Sequence, residues 1–202
     1  MAVHTFVEIQ IPEAQAFADL TGIRYDLESA RSLAIKLQRV MEGENQDYEL
    51  IDAFTTTILV RYSRPFSGGI RKWPKDDALD ELSAEQRHEH DRLRNFRDKH
   101  IAHSVNAFEE NKPIARYEEG REYSDGVYSV ECQHGRIVGL SSSETENVID
   151  LTTVMIEYVD RLLDVEKEAL LAKVRSISFD HLLLKKGIRT SLSPSADIKR
   201  AR

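Results

Sequence analysis

The densest group of chemically capable side chains lies in one stretch, Asp91-Arg92-Leu93-Arg94-Asn95-Phe96-Arg97-Asp98-Lys99-His100-Ile101-Ala102-His103-Ser104. Arg94, Arg97, His100 and His103 recur every third residue, so on a helix adjacent members share a face. Histidine is the side chain best suited to moving a proton near neutral pH. Arginine presents a planar fork of donors that matches a phosphate. Together they suit chemistry at a phosphodiester. A charged helix end, with histidines favoured near the C-terminus by the helix dipole, is the competing reading.

The run Arg97-Asp98-Lys99-His100-Ile101-Ala102-His103 resembles the signature of the HEPN superfamily, which is an arginine, a polar residue, a few more residues and a histidine. The Arg-Asp-Lys start followed by Ile-Ala-His is most similar to the abortive-infection, toxin-like branch. The resemblance spans the helical pattern of residues 25–174, and its specific part is these seven residues. It implies a helical bundle and metal-independent RNA cleavage, in which the ribose 2′-hydroxyl attacks the adjacent phosphate. His103 would then act as general acid or base, and Arg97 would bind the phosphate and stabilise its developing charge. Asp98 would orient one of them. Arg94 with His100 has the same spacing and is the alternative register, which leaves those two as substrate-binding neighbours or as the site itself. The resemblance also implies a homodimer whose two motifs share one cleft, and an antitoxin or activating protein as partner. Two positions after His103 stands Val105, where toxins paired with nucleotidyltransferase antitoxins carry a tyrosine.

Further substrate contacts are expected from Arg71, Lys72 and Trp73. Residues 61–75 hold Arg61, Arg64, Arg71, Lys72 and Lys75 with no acid. Arg71 and Lys72 could follow an RNA backbone, and Trp73 could stack a base or simply pack. The chain as a whole points the other way: 28 basic against 35 acidic residues give a net charge of −7. Screening confines each charge to about 8–10 Å, so a local patch can still hold a polyanion. The net charge favours the alternative of a non-catalytic HEPN-like module that binds RNA, a nucleotide or a protein. His88, His90, His100 and His103 raise a metal site as a rival. However, on one helix His88 and His100 would be roughly 18 Å apart, too far for one ion. The reading therefore assigns no metal and no cofactor.

The elements that must position these residues follow from apolar spacing. Pro12 opens a short helix that Gly22 ends, which makes residues 1–24 an N-terminal arm. Leu27, Ala30, Ala34, Leu37 and Met41 mark the next helix, and Leu50, Ile51, Phe54, Ile58 and Tyr62 another. A loop runs from Pro65 to Pro74. Ser83 and Gln86 form a capping box for the helix that carries the Arg/His run. Residues 113–141 read as a small β insertion, with a hairpin turning at Gln133-His134-Gly135. Ser143, with Glu146, caps the longest helix, whose stripe runs from Val148 to Leu170. Residues 175–202 form a basic, partly flexible tail. The fold class is thus mainly α: about four main helices, with a β-hairpin before the last.

The 202 residues suffice for one core, at 41% hydrophobic and 31% charged. No apolar run of membrane-spanning length exists, so no membrane is expected. The lone cysteine, Cys132, leaves no intrachain disulfide. With no signal-like N-terminus, a cytoplasmic location is expected.

Overall fold

The computed structural model describes residues 8–43, 47–69, 71–101, 109–117, 127–136 and 139–177. Five α-helices occur among them: α1 (Ala14–Met41), α2 (Tyr48–Ser63), α3 (Lys75–Asp80), α4 (Ala84–Phe96) and α5 (Ser142–Arg175). A 3-10 turn, Arg64–Phe66, follows α2, and a π-helical turn, Arg97–Ile101, continues α4. Two antiparallel strands, β1 (Glu109–Tyr117) and β2 (Val127–Arg136), precede α5. The mainly helical class with a hairpin before the longest helix is what the sequence pattern predicts.

The core forms where α1 lies between α5 and α2. Leu20, Ile23, Leu27, Ala30, Ala34 and Leu37 are buried along one face of α1, at steps of three and four residues. They meet Ile51, Ile58, Leu59 and Tyr62 of α2 and Val148, Leu151, Met155, Ile156 and Val159 of α5 in one cluster. Leu93 and Phe96 bring α4 into it. Farther along α5 the predicted stripe is interrupted: Val165 is exposed, while Leu170 is buried.

Several boundaries differ from the sequence reading. Gly22 does not end a helix: α1 runs through it without a break, so no arm separates at residue 24. A helix tolerates one glycine at roughly 1 kcal/mol, and packing on both sides of α1 outweighs that. The hairpin is also shifted. Gln133, His134 and Gly135 lie within β2, opposite Lys112, Asn111 and Glu110, and do not form the turn. The nine-residue β1 supplies partners for all three, so a ladder replaces the local turn. The longest helix is capped two residues earlier, by Ser141 with Glu144. Glu144 N–H donates to the Ser141 hydroxyl and the Glu144 carboxylate accepts from Ser141 N–H, while Arg92 of α4 bonds the same carboxylate. The short helix α3 falls in a stretch where no periodicity marked one. The capping box of Ser83 and Gln86 is present as expected.

Gly139, just before α5, lies flush against α2. A Cβ there would collide with the Ile51 side chain and stand 3.2 Å from Thr55 Oγ1. The next residue, Leu140, donates its backbone N–H to the same Thr55 hydroxyl at 3.1 Å. This contact fixes where the chain returns from the hairpin to the bundle.

Candidate nucleic-acid site

Two faces of helix α4 have distinct tasks. Leu93 and Phe96 enter the core, and with them goes His90, only 2% exposed. Its Nδ1 is 2.8 Å from the Tyr62 hydroxyl, and its ring meets Phe66 edge-on at 4.5 Å between centroids. Burial, reinforced by the positive charge of Arg94, pushes the His90 pKa down to about 4. The Tyr62 hydroxyl is shifted up, chiefly by burial, and so stays protonated. A second face holds Arg92, which bonds Glu89 on its own helix and Glu144 at the start of α5. This bridge ties α4 to the α5 N-terminus.

The Arg/His run begins at Arg94, in the last turn of α4. Arg97 is the first residue of the π turn, which rests against α2. Such turns are rare and recur at functional sites. The Arg97 guanidinium donates from Nη1 to Asp98 Oδ1 at 2.7 Å. Both side chains remain accessible, Arg97 at 34% and Asp98 at 53%. The structure therefore brings Arg97 and Asp98 together at the surface. Arg94, one turn earlier, is near enough for its positive charge to act on Tyr62 and His90. His103 and the side chain of His100 lie outside the described residues.

The expected contacts in the loop after α2 take a different form. Arg71 donates from Nη2 to Asp26 Oδ2 at 2.8 Å. Asp26 sits on α1, 45 residues away in sequence, and is 2% exposed. Arg61 and Arg64 converge on its other oxygen, at 2.8 and 3.2 Å. The backbone N–H of Lys72 donates to Asp19 of α1, and its side chain is exposed. The Trp73 indole N–H donates to the Pro65 carbonyl at 2.8 Å. Its ring packs on Phe66 and toward Tyr158, half-buried. Asp19 and Asp26 were not singled out from sequence, and Arg61 and Arg64 only as members of the basic run. The usable signal was the acid-free run 61–75, whose guanidiniums must find carboxylates on another element if they are to be buried.

Of the histidines suggested as a metal group, His88 is exposed on α4 and His90 is buried against Tyr62. Among the described residues no group of three or more His, Cys, Asp or Glu side chains is placed to hold a metal ion. No helix among them is long and apolar enough to cross a membrane.

No family model, curated protein or solved structure matches this chain.

Proposed function

We propose that this chain is a HEPN-like, metal-independent endoribonuclease of a toxin–antitoxin or phage-defence setting. The observation that carries the reading is the accessible Arg97–Asp98 pair at the head of the π turn, at the end of a core-anchored helix. A guanidinium oriented by a neighbouring carboxylate is already aligned when a phosphate arrives, which lowers the reorganisation needed in the transition state. In the proposed step the ribose 2′-oxygen attacks phosphorus and its proton passes to a histidine base. The bond to the 5′-oxygen breaks, that oxygen takes a proton from a histidine acid, and a 2′,3′-cyclic phosphate remains. His103 fills one of these roles. A second copy of the chain, paired about a twofold axis, supplies the other together with a second Arg97.

The test is cleavage of labelled RNA by purified protein in EDTA, with Arg97→Ala and His103→Ala beside wild type. Each substitution is expected to lower the rate by about 10²–10⁴-fold without changing the melting temperature. His100→Ala is expected to cost much less; the reverse order would move the site to Arg94 and His100. Loss of wild-type cleavage in EDTA would overturn the metal-independent mechanism. The net charge of −7 favours a second reading, a non-catalytic binding module. Salt-sensitive RNA binding with no cleavage would select it.

A further inference from the structure

The cluster on Asp26 joins three elements. Arg61 comes from the last turn of α2, Arg64 from the 3-10 turn, and Arg71 from the loop that follows. One carboxylate against three guanidiniums leaves two positive charges uncompensated within the cluster. One bidentate arginine would suffice to neutralise a buried aspartate, so the extra cations exceed what Asp26 itself requires. All three arginines keep 30–46% of their side-chain surface in solvent while anchored at the same buried point. Their remaining N–H donors are thus held in place and open.

The surroundings hold this arrangement rigidly. Gly22, in the middle of α1, leaves room for the Arg71 guanidinium, because a Cβ there would stand 3.0 Å from Arg71 Nη1. The loop is also pinned by Lys72 N–H on Asp19 and by the Trp73 indole on Pro65. Gly68 has open space around its α-carbon, and Lys72 and Lys75 farther along the chain are exposed. Tyr25, next to Asp26 in sequence, is 64% exposed, with the Arg61 guanidinium 5.9 Å from its ring centre.

We propose that Arg61, Arg64 and Arg71 form a binding site for the phosphodiester backbone of single-stranded RNA, with Tyr25 as the platform for an adjacent base. The choice of RNA rests on the ribonuclease reading above. The geometry adds two features: guanidinium forks that match phosphate oxygens, and an exposed aromatic face that stacks any base. The site belongs to α1, α2 and the loop, whereas Arg97 belongs to α4 and the π turn.

The experiment is fluorescence anisotropy with a short labelled oligouridylate carrying 2′-O-methyl sugars, which binds but cannot undergo 2′-hydroxyl attack. Arg64→Gln removes the longest and most exposed arm of the cluster and leaves Asp26 paired with Arg61 and Arg71. Tyr25→Ala removes only an exposed ring. Each is expected to weaken binding on the order of tenfold with unchanged melting. Arg64→Gln should also reduce the slope of log affinity against log salt by about 0.7, the value for one single-strand phosphate contact. Wild-type affinity in both variants would overturn the proposal, whatever Arg97→Ala does to cleavage. So would absence of wild-type binding, or equal competition by polyglutamate, which would mark an acidic-peptide site. Binding that depends on Arg64 and Tyr25, with no cleavage of unmodified RNA, would support this site and remove the ribonuclease reading.

Discussion

At pH 7 His90 is a neutral imidazole, because a charged ring would have no water and would face the positive Arg94. Its folded pKa of about 4 lies below the ordinary 6.5. Between those values the unfolded chain binds a proton that the folded chain does not. Stability is therefore lost as pH falls through this window, by up to about 3 kcal/mol at about 1.36 kcal/mol per unit. Urea unfolding of wild type and His90→Gln from pH 7 to 4 should show the wild type losing more stability. Parallel curves would show that His90 contributes no such linkage. The same burial that makes His90 a poor proton carrier separates it from Arg97, whose guanidinium stays accessible. Depth in the core thus distinguishes His90 from the accessible Arg97.

Among the elements, the hairpin depends least on the bundle. Its strands pack mainly on each other, and a two-stranded hairpin is marginal on its own in water. Pro113 opposite Cys132 and Ala115 opposite Val130 line one side, and Lys112 opposite Gln133 and Arg116 opposite Ser129 line the other. Val130 and Tyr128 are 74% and 71% exposed, so the more apolar side gains little burial. Helix α1 is the opposite case, packed along its length between α2 and α5. Hydrogen exchange followed by mass spectrometry should show amides of β1 and β2 exchanging far faster than those of residues 20–37. Equal protection would mean that another surface covers the hairpin. The π turn belongs at this scale as well, since it is the backbone element that carries Arg97 and Asp98 beyond the regular end of α4.

For the whole molecule, the proposed twofold pairing has a kinetic consequence. If two chains complete one active site, specific activity should fall as the enzyme is diluted through the dimer dissociation range. Sedimentation velocity at the same concentrations should show the dimer disappearing over that range. Constant specific activity across complete dissociation would place a full site within one chain. The net charge of −7 also acts at this scale, opposing approach of a polyanion from a distance. A cationic cluster works against that background only at short range, within about 8–10 Å at ordinary ionic strength.

What the sequence determined by itself was local in origin. Apolar spacing set the main helices, the Ser83–Gln86 box set the start of α4, and the Arg97-to-His103 run is the basis for the chemistry proposed here. Each follows from residues within a turn or two of one another, where period and capping are visible. The tertiary structure decided the rest. Gly22 reads as a stop signal, and only the packing of α1 against α2 and α5 carries the helix through it. Ser141, not Ser143, caps α5, and its partner Glu144 is also held by Arg92 from another helix. The fates of Arg71 and Trp73 were equally hidden, because Asp26 and Tyr158 are brought to them only by the assembled bundle. Periodicity records which side of a helix is buried, but a carboxylate's partners 35 to 45 residues away are fixed only when the helices dock.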